Sequence, residues 1–247
     1  MKVFILAAGV GSRLRPITDT IPKALVPVCG TPMLQHVILK LQSYGFNDFV
    51  INVHHFANQI IDFLKTNNDF GAKIAISHEE DALLNHGGAI LHAAPLLGDN
   101  EPVLLHNVDI LSNCDLRAFT EAHLRSGADA TMLVSDRVTS RYLLFDEAMR
   151  LHGWINKSTD EVKPAGIDYL AGKYIERPYD GIQVFSPSVI ERMRSDGLSG
   201  KFSIIDFYLD RADSLNIVGK EMPGLKMLDI GKPETLVQAD DFFKNNC

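Results

Sequence analysis

Apolar strand-like runs alternate with helical patterns over the first 134 residues of this 247-residue chain. Five runs predict strands: KVFILA at 2–7, FVINV at 49–53, KIAIS at 73–77, PVLLH at 102–106 and ATMLV at 130–134. The segments between them predict helices: one with Thr31 as N-cap and Pro32 at its first position, one near Ile60, and two near 88–97 and 115–126. Because this order is typical of βαβ units, we predict an α/β fold with a Rossmann-like, doubly wound, mostly parallel sheet.

The pattern changes after about residue 136. Shorter strand-like runs, RYLLF at 141–145 and GIQVFS at 181–186, are separated by a long polar stretch. A helix near 203–212, a short strand near 225–229 and a closing helix at 233–243 then lead back to the sheet. We therefore expect a single domain with two merged parts: a core at 1–135, and a smaller lobe with the closing helix at 136–247.

Charge and cysteine content narrow the class of protein. The formal net charge is -7, from 24 Lys and Arg against 31 Asp and Glu, which predicts no general attraction to nucleic acid or anionic lipid. Cys29, Cys114 and Cys247 have no paired spacing, so we expect neither disulfides nor a zinc site. The apolar start is too short for a signal peptide, and no later run reaches membrane-span length. We expect a cytoplasmic location; the sequence does not predict an oligomeric state.

A glycine-rich loop, Gly9-Val10-Gly11-Ser12-Arg13, follows the first strand. Its backbone N–H groups could approach phosphate without obstruction from a Cβ atom. The dinucleotide-binding pattern needs a third glycine where Leu14 stands, and a P-loop needs Lys and Ser or Thr after its second glycine. A glycine turn that serves only packing is an equally good interpretation of the two glycines alone. The cations Arg13, Arg15 and Lys23 beside the loop favour a triphosphate site.

Two aspartates lie where ligands bind in an open α/β sheet. Asp109 follows the strand PVLLH, and Asp229 stands at a strand-to-helix junction. Two carboxylates, together with phosphate oxygens and waters, suffice to hold Mg²⁺, which rarely occupies a cage made only of protein. Either aspartate alone could instead be a helix cap or a turn residue.

The segment LAAGVGSRLRPITDTIPKALVPVCGTPM closely resembles the signature of the sugar-phosphate nucleotidylyltransferases, or NDP-sugar pyrophosphorylases. Asn107-Val108-Asp109 resembles their Asn-Gly-Asp element, and the stretch from Asp229 to Pro233 their Asp-x-Gly-Thr-Pro element, with Val108 and Lys232 as departures. The resemblance implies a nucleotide-diphospho-sugar transferase-like fold with a sugar-binding lobe. It also implies transfer of a nucleoside monophosphate from an NTP, most often UTP or GTP, to a sugar 1-phosphate with Mg²⁺. The short chain favours the family's compact branch, which includes uridylyl- and guanylyltransferases of N-acetylmuramate, mannose and heptose 1-phosphates.

The resemblance also implies a set of site residues. Arg13 and Lys23 would contact the phosphates, and Asp109 and Asp229 would hold the metal. Asn107 and Gly181 would contact the sugar. The nucleotide would be bound by Leu6, Ala7, Ala8, Gly9, Gly11, Asn85, Gly87 and Gly88.

Some assignments stay open. His86 is either an ordinary histidine at a helix start or a contact to the nucleotide, and Trp154 is more typical of a core residue than of a sugar platform. The acceptor could be phosphocholine or another phosphorylated alcohol. A non-catalytic protein that binds a sugar nucleotide as a regulatory ligand is a third hypothesis. Such a protein would have no need for all four charged residues Arg13, Lys23, Asp109 and Asp229.

Overall fold

The computed structural model describes residues 1–246, so Cys247 lies outside the described residues. The fifteen strands are β1 Lys2–Leu6, β2 Pro27–Val28, β3 Thr31–Pro32, β4 Asp48–Val53, β5 Lys73–His78, β6 Val103–Asn107, β7 Ile110–Ser112, β8 Ala130–Val134, β9 Arg141–Phe145, β10 Leu151–Asn156, β11 Glu161–Lys163, β12 Ile175–Arg177, β13 Tyr179–Phe185, β14 Ile217–Lys220 and β15 Met227–Asp229. The eight α-helices are α1 Met33–Ser43, α2 Ala57–Thr66, α3 Asn85–Leu97, α4 Leu116–Ser126, α5 Pro187–Ser195, α6 Ile204–Asp210, α7 Pro233–Leu236 and α8 Ala239–Asn246. Short 3₁₀ segments cover Ser12–Leu14, Ile17–Asp19, Lys23–Leu25 and Asn68–Gly71.

A seven-stranded sheet in the order β14-β8-β13-β6-β1-β4-β5 forms the centre of the molecule. Its strands pair in parallel except β13, which runs antiparallel to both β6 and β8. This confirms the predicted doubly wound, mostly parallel α/β sheet. All five strands predicted within the first 134 residues are present.

The central strands are buried on both faces. In β1, Val3 and Ile5 pack in one hydrophobic core with α1, α2 and α4, whereas Phe4 and Leu6 pack in a second core with α3, α5 and α6. Successive side chains of a strand point to opposite faces, so a strand between two helical layers needs an unbroken apolar run. This requirement explains why residues 3–6 of β1, VFIL, are all apolar and do not alternate with polar residues.

Four elements differ from the sequence-based expectation. Helix α1 begins at Met33, because Thr31 and Pro32 form the short strand β3 with β2. Helix α3 begins at Asn85, three residues before the predicted start near residue 88. The run GIQVF at 181–185, expected in the smaller lobe, is part of β13 in the central sheet. Strand β15 pairs with β7 in a two-stranded sheet that is separate from the central sheet.

A second, four-stranded antiparallel sheet in the order β11-β10-β9-β12 is formed by strands that lie between residues 141 and 177. One face of β9 carries Arg141, Leu143 and Phe145, and its Phe145 end is buried in the core beside α5 and α6. Cys29 and Cys114 are both free thiols. Within residues 1–246, no helix combines the length and the apolar character that crossing a membrane requires.

Candidate active site

The glycine-rich loop is anchored to the sheet by a buried polar network. The backbone N–H groups of Ala7 and Ala8 donate to Oδ1 of Asn52 at 2.7 and 3.3 Å. Asn52 Nδ2 donates to Oε1 of Glu79 at 2.7 Å, and Oε2 of Glu79 accepts from the N–H of Leu84 at 2.8 Å. The network therefore connects the carboxyl ends of β1, β4 and β5 to the start of α3.

The sequence-based prediction missed Asn52 and Glu79, although a signal was present. Asn52 is a polar residue inside the apolar run FVINV, and Glu79 follows directly after β5. Both side chains are almost fully buried. A buried polar group needs partners, so a polar residue near the end of a central strand indicates an organised site there.

The two glycines of the loop have different roles. A Cβ atom added at Gly9 would meet no atom within 4 Å, so this position is open for a ligand to approach the backbone. Gly11 has a φ of +68°, and a Cβ there would lie 2.9 Å from Thr18. Its left-handed backbone precedes the 3₁₀ segment Ser12–Leu14, whose Leu14 N–H donates to the Gly11 carbonyl at 2.8 Å.

Two of the three predicted cations, Lys23 and Arg13, line the candidate site. Lys23 is mostly buried and forms an ion pair with Asp109. Arg13 has a solvent-exposed side chain that lines the cavities described below. Arg15 is 62% exposed, pairs with Asp19 at 3.2 Å and lines neither cavity. Arg15 therefore lies outside both cavities.

The two aspartates meet because β15 pairs with β7. Asp229 lies opposite Ile110, and the N–H of Ile230 donates to the Asp109 carbonyl at 3.0 Å. A Cβ at Gly231 would lie 2.8 Å from Nζ of Lys23, 2.9 Å from Oδ2 of Asp109 and 2.9 Å from Oδ1 of Asp229. Three charged atoms thus surround one point, and only glycine leaves it free.

The ionisation of Asp109 follows from its neighbours. Burial by itself would raise the pKa of this carboxyl group, but the charge of Lys23 and its hydrogen bond hold the pKa below the usual value. The carboxylate is therefore charged at neutral pH. His86 stands nearby at the start of α3; burial lowers its pKa, Asp109 opposes this, and Lys23 adds to it. His86 is therefore neutral at pH 7.

The donor set fits a hard divalent cation that also binds a ligand. Among residues 1–246, no group of three or more His, Cys, Asp or Glu side chains could enclose a metal ion. Asp109 and Asp229 instead bring two carboxylate oxygens, Oδ2 and Oδ1, together beside the backbone of Gly231. Such a pair leaves most coordination positions to ligand oxygens and waters, which is how Mg²⁺ commonly binds.

Two cavities meet at this centre. The smaller cavity, of about 300 Å³, contains nine predicted site residues: Leu6, Ala8, Gly9, Arg13, Lys23, Asn85, Asn107, Asp109 and Asp229. Asn52, Glu79, Leu83, His86 and Val108 complete its lining. The larger cavity, of about 960 Å³, lies against the four-stranded sheet, with Trp154 in its wall. Arg13 and Asp229 line both cavities, so the boundary between the cavities lies at these two residues.

Five predicted contact residues line neither of the two cavities: Ala7, Gly11, Gly87, Gly88 and Gly181. The N–H groups of Gly87 and Gly88 donate to the Phe202 carbonyl at 3.1 and 3.4 Å. A Cβ at Gly88 would lie 2.1 Å from the Gly200 carbonyl oxygen. These two glycines therefore allow the 200–202 segment to pack on α3, and their contact with a nucleotide stays a prediction.

Gly181 likewise has a packing role, and its contact with the sugar stays a prediction. Its φ is +75°, and a Cβ there would lie 2.8 Å from Ile110 and 3.0 Å from Nδ2 of Asn107. It thus lets β13 lie close to Asn107, whose side chain lines the smaller cavity. Trp154, expected in the core, instead lines the larger cavity, with Nζ of Lys163 5.3 Å from its ring centre.

The central sheet and the paired cavities define the nucleotide-diphospho-sugar transferase fold. HddC from Yersinia pseudotuberculosis superposes with a TM-score of 0.75 at 25% identity, over 98% of this chain and 99% of that one. The chain belongs to the nucleotidyl transferase family, which it matches over residues 2–143.

Two curated relatives extend the comparison. An N-acetylmuramate α-1-phosphate uridylyltransferase of Neisseria meningitidis serogroup B is 42% identical over 118 residues, which is 48% of this chain and 51% of the relative. The enzyme of the same name from Caulobacter vibrioides is 29% identical over 96% of this chain and 94% of its own length. This chain thus spans about half the length of the Neisseria relative, and 58% and 64% of two other curated relatives.

Proposed function

We propose that this protein transfers a nucleoside monophosphate from an NTP to a sugar 1-phosphate with the help of Mg²⁺, giving an NDP-sugar and pyrophosphate. The observation that carries the proposal is that Arg13 and Asp229 line both the smaller and the larger cavity. A transfer between two substrates needs two binding spaces with one reacting centre at their boundary. The names of the Neisseria and Caulobacter relatives support the same reaction.

The reaction consists of one in-line displacement. The NTP occupies the smaller cavity, with its triphosphate at the open backbone of Gly9 and its α-phosphorus near the cavity boundary. A phosphate oxygen of the acceptor attacks this phosphorus, and the bond from the α-phosphorus to the oxygen that bridges to the β-phosphate breaks. Lys23 and Arg13 neutralise the charge that builds on the leaving pyrophosphate. Asp109 and Asp229 would hold Mg²⁺, which polarises the phosphate oxygens.

The two parts of the chain divide this work. Residues 1–135 contribute most of the smaller cavity, and residues from 136 onward contribute most of the larger one. This distribution supports the assignment of the nucleotide to the first part and of the acceptor to the second. The curated relatives include both uridylyl- and guanylyltransferases, so UTP and GTP are the first donors to test. We place the reaction in the cytoplasm, where NTPs and Mg²⁺ are available and thiols such as Cys114 stay reduced.

A pyrophosphate-release assay tests the proposal directly. Each of the four NTPs is combined with a panel of sugar 1-phosphates, with Mg²⁺, and phosphocholine is included as an acceptor without a sugar. We expect release only when both substrates are present. Release with phosphocholine but not with sugar 1-phosphates would show that the acceptor is a phosphorylated alcohol without a sugar. Tight binding of a sugar nucleotide without any release would instead support a sensor.

A further inference from the structure

The larger cavity contains more positive charge than one acceptor phosphate requires. Its basic lining residues are Arg13, Arg137, Arg141, Lys163 and Lys232. Two of these five already have carboxylate partners. Lys163 Nζ lies 3.0 Å from Asp206 and 3.7 Å from Glu161. Arg137 Nε donates to the fully buried Asp180 at 2.7 Å, and its Nη2 donates to the Tyr179 carbonyl at 3.1 Å.

The other three cations occupy different parts of the cavity. Arg13 lies at the boundary with the smaller cavity, and Lys232 follows Asp229 by three residues. Both are placed to meet the reacting phosphates. Arg141 lines only the larger cavity, at the first position of β9 in the four-stranded sheet. Over residues 1–246 it has no carboxylate within ion-pair distance, which distinguishes it from Arg137 and Lys163.

Strand register shows what surrounds Arg141. Arg141 pairs with Asn156 of β10, which pairs with Glu161 of β11. Paired residues share a face of the sheet, and neighbouring strands lie about 4.8 Å apart. The three side chains therefore form a polar row across the cavity wall. The adjacent row contains Leu143 and Trp154, which offer an apolar surface.

The two ends of this polar row differ in charge: Arg141 is positive, whereas the charge of Glu161 is neutralised by Lys163. Glu161 stands two strands from Arg141, about 10 Å away across the sheet, and it is close to Lys163. Asn156 lies next to Arg141; its Oδ1 already accepts the N–H of Ser158 at 3.1 Å, so its Nδ2 remains as a donor toward the cavity. A guanidinium fork beside an amide donor matches the oxygens of a carboxylate or a phosphate.

We infer that the acceptor carries a second anionic group in addition to its 1-phosphate, and that Arg141 binds this group. The inference rests on the proposed function and sharpens its substrate class. The curated relatives are named for acceptors of both kinds: N-acetylmuramate has a carboxylate on its lactyl ether, whereas mannose and glucose are neutral sugars. An unpaired arginine at the wall of the acceptor cavity selects the charged kind.

The test uses acceptor pairs that differ only in the second acidic group. N-acetylmuramate 1-phosphate against N-acetylglucosamine 1-phosphate measures the effect of a carboxylate. Mannose 1,6-bisphosphate against mannose 1-phosphate measures the effect of a second phosphate. We expect kcat/KM for pyrophosphate release to be at least ~10-fold higher for the acidic member of one pair, since hydrogen bonds to a charged group contribute about 1.5 to 3 kcal/mol. The pair with the larger ratio identifies the anion.

Variants of Arg141 then assign the preference to this side chain. Arg141→Gln should lower the acidic-to-neutral ratio by ~10-fold or more, mainly through KM of the acidic acceptor, and Arg141→Lys should restore part of it. Arg194→Gln, at an exposed arginine of α5 that lines neither cavity, is the control of equal charge change. A ratio near 1 in the unmodified protein, or a ratio that Arg141→Gln leaves unchanged, would overturn the inference while the proposed function stands. Absence of release with every acceptor would overturn both.

Discussion

The two cavities are built in different ways. The smaller cavity lies at the carboxyl ends of parallel strands. It is formed by backbone groups, by the buried network at Asn52 and Glu79, and by two aspartates. Side chains on the face of an antiparallel sheet form much of the larger cavity. A phosphate chain is common to every NTP and can be bound by fixed backbone, whereas the acceptor varies and needs side chains that can change. We therefore expect changes in the smaller cavity to affect turnover of every substrate, and changes in the larger cavity to affect acceptor choice.

The largest effect is expected at the boundary of the cavities, where Asp229→Ala removes one of the two metal carboxylates. Turnover should fall on the order of 10³-fold or more for every NTP and acceptor. The variant would hold Mg²⁺ poorly, and the positive charge of this ion would stabilise the transferring phosphates. Asp229 belongs to a short strand outside the central sheet, so the melting temperature should change little. Pyrophosphate release and thermal unfolding measured on one preparation check both statements. Near-normal turnover would contradict the assignment of Asp229 to the reacting centre.

Arg13→Ala should have the next largest effect, about 10²-fold in kcat/KM, since a cation that neutralises the leaving pyrophosphate acts mainly in the transition state. Arg15→Ala provides the matched control, because Arg15 lies two residues away, is 62% exposed and pairs only with Asp19. Its kcat/KM should stay within about twofold. Equal losses in both variants would indicate a general effect of charge beside the loop and not a contact of Arg13.

Most residues of the smaller cavity could be predicted from the sequence, but few residues of the larger cavity could. Asp109 and the loop at Gly9 could be predicted because local pattern places both at strand ends, where open α/β sheets bind ligands. The packing role of Gly88 was not predicted, because its neighbour, the Gly200 carbonyl, comes from a segment more than 100 residues away in the chain. Arg141 was not singled out, since the pairing of β9 with β10 and the partners of the other cations are tertiary facts. Periodicity predicts elements, but it does not tell which charged side chain remains unpaired.

Substitutions at Gly9 and Gly88 distinguish a glycine that leaves room for a ligand from a glycine that allows two segments to pack. Gly9→Ala should leave the free energy of unfolding within about 0.5 kcal/mol, because a Cβ there meets nothing within 4 Å. It should nevertheless lower kcat/KM by ~10-fold, since the methyl group projects into the space that the phosphates use. Gly88→Ala should do the reverse and destabilise the fold by about 3 kcal/mol through collision with the Gly200 carbonyl. Chemical denaturation and pyrophosphate release, measured on both variants, distinguish the two roles. A stable Gly88→Ala variant with impaired NTP binding would instead support the predicted contact of Gly88 with the nucleotide.

The smallest expected effect belongs to the larger cavity and depends on Trp154, the only tryptophan of the chain. Its ring lies beside Leu143 in the cavity wall, with Lys163 Nζ 5.3 Å from the ring centre, so an acceptor that enters should change the intrinsic fluorescence. Trp154→Phe keeps an aromatic surface but reduces its area, and we expect KM of the acceptor to rise about two- to fivefold while KM of the NTP stays constant. Fluorescence titration of the unmodified protein with acceptor alone and with NTP alone provides an independent measurement. If Trp154→Phe changed KM of both substrates equally, the two cavities would not be the separate binding spaces that the boundary at Arg13 and Asp229 implies.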